Sequence, residues 1–148
     1  MAALTTQLCG VLRLDPVLAT MVGQRIYDNR PIKRGGIGGT PDAFDQNGMV
    51  LPSVVVMDEG AVAAFDREDA AEQMVNVWIH APMVQATIDL IDSVIYPGIL
   101  RLLDHEYVAT NGTGVELVLM DRNGIQEDPT IANTYVDYMR FTATRLWR

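Results

Sequence analysis

The stretch Gln73 to Ala81, QMVNVWIHA, alternates along its length, with Val75, Val77 and Ile79 on one side and Met74, Asn76, Trp78 and His80 on the other. A period of two is the signature of a strand with one face in a core and a mixed second face. A second long run, Tyr135 to Trp147 (YVDYMRFTATRLW), is dense in aromatic and β-branched residues and ends one residue short of Arg148. Two strands of this length demand a sheet. At 148 residues the chain is of single-domain length, so one domain over 1–148 is expected, with a core large enough to need no staples.

What covers the sheet is written around those strands. Thr5 or Thr6 can cap a short helix that places Leu8, Val11 and Leu12 on one face. Asp15-Pro16 then restarts the chain with an N-cap and a first-turn proline, and Gly23 ends the second helix. After Pro82, Val84, Ile88, Ile91, Ile95, Ile99 and Leu102 recur at helical spacing, with a kink or break expected at Pro97-Gly98. Shorter strands are expected at Gln24–Tyr27, Met49–Met57 and Val115–Met120, with a turn at Asn123-Gly124. Strands outnumber helices and do not alternate with them as βαβ units. The fold class that follows is α+β, a mainly antiparallel sheet with helices packed on one face.

Between Asp28 and Gly48 lies a loop with five glycines, Pro31 and Pro41. A connection of that length is usually either a binding element or disordered. It carries a local basic cluster, Arg30, Lys33 and Arg34, which reads either as a solvated loop pairing with Asp28, Asp42 and Asp45 or as an arm toward a neighbouring subunit or DNA. Asp42 and Phe44 of this loop, and Phe65 of the acidic, alanine-rich linker at 58–72, complete the candidate contact residues. The expectation is a loop that is mobile in the free subunit and orders on assembly.

The residues offer little chemistry. Ser53 and Ser93 lack a G-x-S-x-G context, GGIGGT lacks the spacing of a phosphate loop, and Cys9 reads as a small apolar helix residue. His80 and His105 fall at the ends of different elements and read as packed or surface side chains. No catalytic, cofactor or metal residue is assigned. A net charge of −8 argues against wrapping nucleic acid over a broad surface, and no apolar run reaches the roughly 20 residues of a membrane helix. The N-terminus has no basic segment ahead of its apolar residues, so synthesis inside the cell without a secretory leader is expected.

Four segments in order carry a likeness: LDPVLATMVGQRIYDN, LPSVVVMDEG, EQMVNVWIHAP and YVDYMRFTATRLW. Together they resemble the tail terminator, or tail completion, proteins of long-tailed (siphophage-type) bacteriophages and gene transfer agents. The resemblance implies a virion protein at the neck end of the tail, made in the host bacterial cytoplasm. It further implies a hexameric ring that caps the tail tube, stops its polymerisation and faces the head-side connector or stopper. Its partners would be itself, the tail tube protein and that connector, with DNA only as cargo, no membrane and no cofactor. The alternatives are another head-tail joining protein of the neck and a small-molecule-binding domain, the latter signalled by an apolar pocket around His80 or His105.

Overall fold

The computed structural model describes residues 4–59, 72–110 and 113–147, so the 58–72 linker falls mostly outside it and Phe65 entirely so. Helix α1 (Leu4–Leu14) buries Leu4, Leu8, Cys9 and Leu12, one apolar stripe. Burial raises the Cys9 thiol to about 12, which leaves it unreactive at neutral pH. Helix α2 (Pro16–Val22) starts and stops as its sequence dictates. The Leu18 amide donates to Asp15 Oδ2 at 3.0 Å, Pro16 opens the first turn, and Gly23 closes the helix at φ 57°. That amide, helped by Arg101 at 2.9 Å, holds the Asp15 carboxyl below its ordinary pKa.

Asp15→Ala is expected to cost about 0.5–2 kcal/mol. The check is a lower urea midpoint at neutral pH. Because the folded pKa is depressed, the gap to wild type closes as pH falls below 3.8, where the wild-type carboxylate is itself lost.

Among the described residues seven strands follow: β1 (Ile26–Asp28), β2 (Ser53–Asp58), β3 (Glu72–Pro82), β4 (Tyr107–Thr110), β5 (Thr113–Arg122), β6 (Gln126–Glu127) and β7 (Thr134–Trp147). They form one sheet in the order β1-β2-β3-β7-β5-β4, with β6 also on β7. β1 and β2 run parallel; the other pairs are antiparallel. The fold is therefore α+β with a mainly antiparallel sheet. The whole length of β3 pairs with β7, from Glu72↔Thr144 to Pro82↔Thr134.

The helices cover one face. Val54, Val56, Val75, Val77, Ile79, Val115, Leu117, Met139 and Phe141 point toward Leu8, Leu12, Leu18, Ile91, Ile95, Ile99 and Leu103 to make the main core. The third helical segment does not break at Pro97. α3 (Gln85–Leu90) runs through a π turn at Ile91–Ile95 into α4 (Tyr96–Leu103), with Pro97 in the first turn of α4.

The spacing of the buried residues explains the π turn. Thr87, Ile91, Ile95, Ile99 and Leu103 are all buried, each four after the last. A step of four overshoots the 3.6-residue period, and the wider π turn brings the stripe back onto the sheet. It also shifts the final buried position from Leu102, expected from the pattern, to Leu103. Gly98 lets α4 approach α2, because a Cβ there would stand 3.1 Å from Leu18 Cδ2.

The glycine-rich loop has a topological cause. Parallel strands cannot be joined by a tight turn, so β1 must reach β2 by a crossover of a dozen residues or more. Here the crossover passes over the sheet face opposite the helices. Ile32, Ala43, Val50, Val55 and Ile131 form a second small core there, flanked by Tyr27, Phe44, Met57 and Trp78. β2 accordingly begins at Ser53, not Met49: Pro52 has no amide to give a ladder, and Val50 bridges to Phe44 within the crossover instead.

Candidate functional site

The mixed face of the central strands is where side chains of functional interest converge. Trp78 of β3 and Tyr138 of β7 are directly paired across the sheet, their ring centroids 4.5 Å apart. His80, two residues along β3, pairs with Val136 in the same register. Over them lies the segment from Asn123 to Asn133, which carries β6. Asp128 shapes it, its Oδ1 accepting from the amides of Thr130 and Ile131 and from the Thr130 hydroxyl.

Crossover, sheet and segment line an open cavity of about 450 Å³. Its walls are mainly apolar: Ile32, Val55, Met57, Trp78, Ile131 and Val136. Its polar groups are few. Asn123, Gln126, Glu127, Asp128 and Thr130 stand on one side, His80 and Tyr138 on the floor, and no Lys or Arg is among the described lining residues. A volume between about 300 and 1,000 Å³ with few convergent polar groups is the form small-molecule and side-chain sites take.

His80 is 8% exposed, and its Nδ1 lies 3.5 Å from Asp128 Oδ2 without making a hydrogen bond. Burial lowers its pKa below 6.5, more than the Asp128 carboxylate raises it. The imidazole is therefore neutral at pH 7. An unfolded chain takes up this proton at higher pH than the folded one, so stability is whole above 6.5 and declines as pH falls below it. Urea titrations between pH 8 and 5 are expected to show that decline in wild type and a flatter profile in His80→Gln, with equal slopes counting against it.

The basic loop residues do not pair with the nearby acids. Arg30 Nε reaches the Gly38 carbonyl at 3.5 Å, Lys33 Nζ the Ile37 carbonyl at 3.1 Å, and Arg34 the Gly48 carbonyl. The Arg34 guanidinium also lies 4.8 Å from the Phe44 ring centroid. Asp28 instead accepts from Thr6, Asp45 from the amides of Asn47 and Met49, and Asp42 is exposed in the 3-10 turn Pro41–Ala43. The expected solvated pairing is thus replaced by a loop whose cations fasten its own backbone. Phe44 is half-buried under Arg34 and braces the crossover.

His105 sits elsewhere, exposed at φ 60° in the turn after α4, with Nε2 3.7 Å from Asp104 Oδ2. Asp104 Oδ1 accepts the Leu119 amide, so this acidic run ties helix to sheet. Among the described residues no group of three His, Cys, Asp or Glu is arranged to hold a metal, and no helix is long and apolar enough to cross a membrane.

Sequence reading gave His80 a packed or surface role and missed Asp128 and Ile131 altogether. Only the turn signal Asn123-Gly124 marked the segment, and it does not say what the segment covers.

Comparison with known proteins bears on this architecture. No protein-family model and no curated protein matches the sequence. Among solved structures, a chain of the virion of a native gene transfer agent particle is 17% identical, with a TM-score of 0.66 over 97% of this chain and 94% of that one. A second solved chain, whose description gives no role, is 11% identical with a TM-score of 0.56 over 99% of both. At such identities the likeness establishes a shared fold over essentially the whole length.

Proposed function

We propose that this chain is a virion structural protein, a tail terminator that assembles as a ring on the end of a phage-type tail tube. The observation that carries the reading is the near-complete fold match to a chain of a gene transfer agent virion. It supports the resemblance drawn from the four sequence segments, and the whole chain is read as one structural domain. The role needs no catalytic group, only surfaces. On this reading the ring stops tube polymerisation and offers its other side to the head-side connector or stopper, while DNA passes through as cargo. An acidic chain suits such a conduit, since it gives phosphates little to hold. Arg30, Lys33, Arg34, Asp42, Phe44 and Phe65 are assigned to contacts with neighbouring subunits or partners.

Light scattering behind a sizing column, across a wide concentration range and at low and high salt, tests the ring. A closed species of about six subunits is expected. A strict monomer under every condition contradicts free-standing assembly.

One observation favours a second reading, a small-molecule-binding domain: the apolar cavity floored by His80. Saturable binding of an apolar fluorescent dye that quenches Trp78, with no effect of assembly state, would favour that reading over the ring.

A further inference from the structure

Ile37 is an apolar side chain left almost entirely in water. It is 97% exposed at the tip of the glycine-rich loop, in the sequence Gly35-Gly36-Ile37-Gly38-Gly39. The loop holding it is built, not slack. The Thr40 amide donates to the Lys33 carbonyl at 2.8 Å and the Lys33 amide to Thr40 Oγ1 at 2.9 Å, clasping the two ends. Gly39 donates to the Gly36 carbonyl at 3.1 Å, and Gly36 and Gly38 take φ of 83° and 75°, which an L side chain rarely adopts. The result is a narrow knob with one large apolar residue and three cations at its base.

The cavity beside His80 is the complementary shape. It is apolar inside, open, and unfilled by any side chain among the described residues, where its charged lining residues are the carboxylates of Glu127 and Asp128. Among the described residues Arg30, Lys33 and Arg34 make no ion pair, so their charge is available to an acidic rim. Knob and socket are different patches of one surface. When a subunit gives its knob to one neighbour and takes a knob from another, the contact is head-to-tail, and head-to-tail contacts close into rings when the rotation permits.

We infer that Ile37 of one subunit seats in the His80 cavity of the next copy of this chain, with the Arg30, Lys33 and Arg34 cluster facing Glu127 across the rim. This rests on the ring reading above and supplies its contact. A second copy satisfies both features in every subunit at once, which a small ligand does not. Glycines on both sides of Ile37 allow the backbone to follow the side chain into the opening.

Two variants test the contact in the full-length chain. Ile37→Glu alters a side chain that touches almost nothing in its own subunit, so its urea midpoint is expected to match wild type. Its association is expected to weaken about ten- to a hundredfold per contact, the range that burial of one such side chain commands. The variants Ile37→Cys and Gln126→Cys, each with one added cysteine and mixed under a mild oxidant, are expected to form a mixed cross-linked dimer that neither forms alone. The native Cys9, buried and poorly ionised, does not compete. If Ile37→Glu keeps the wild-type mass and no mixed dimer forms, the inference is overturned while the ring still stands. A wild-type chain that stays monomeric throughout, with no mixed dimer from the cysteine variants, overturns the inference and with it a ring formed by the free chain.

Discussion

Arg122→Met is expected to lower stability by about 3–5 kcal/mol, because it strands a buried carboxylate. Asp137 is fully buried on the helix-covered face of β7, and Arg122 grips its Oδ2 through both Nε, at 2.9 Å, and a terminal nitrogen. The same guanidinium pairs with Asp92 at 2.8 Å and lies 3.8 Å from the Tyr96 ring centroid, tying the π turn and α4 to the sheet. Burial opposes the charge on Arg122, yet the two carboxylates outweigh it and raise its pKa. Without Arg122, Asp137 keeps, among the described residues, only the Tyr138 amide at 2.8 Å. Asp92 is half exposed and its loss matters far less, about 0–1 kcal/mol. The double variant Arg122→Met, Asp137→Leu removes both charges and is expected to recover most of the loss. Urea unfolding followed by circular dichroism measures wild type and both variants; a double variant no more stable than the single one contradicts this account.

Phe141→Ala is the second large effect, also about 3–5 kcal/mol. Phe141 is fully buried and occupies the middle of the sheet, paired with Val75 on β3 and Leu119 on β5. Close packing from strands on both sides and helices above leaves little room for collapse, so truncation leaves a cavity as well as lost apolar burial. Set against a total of about 5–15 kcal/mol for a domain, that loss threatens folding at physiological temperature. Phe141→Leu is expected to retain more than half of it. Equal midpoints for the alanine variant and wild type would show that the core is not organised around β7.

How much of this was legible in the sequence follows from how local each signal is. The Asp15-Pro16 start, the Gly23 stop and the alternation of β3 act within a few residues, and the structure repeats them closely. β4 was invisible. Tyr107–Thr110 has no pattern of its own and becomes a strand by pairing with β5. The glycines between Asp28 and Gly48 read as a free loop because Ile32, Ala43 and Val50 are too far apart to show a period. They become a core when the parallel pairing of β1 and β2 draws the crossover over Val55.

The site divides in the same way. Arg30, Lys33 and Arg34 were visible as a cluster, but whether they bond to carboxylates or carbonyls depends on the fold of the loop. Asp128 reaches His80 through a pairing of β6 with β7 that two residues of strand cannot announce. Ile37 stood in plain view as the one large residue of GGIGGT. Its exposure and the cavity that complements it are properties of the folded surface.

The most direct test of the central claim is tube assembly itself. Purified chain added to the polymerising tube subunit from the same particle should arrest elongation, leaving short tubes in electron micrographs with a ring of added density at one end. Tubes that grow to the same length with and without the chain, and carry no density at their ends, would contradict the terminator role.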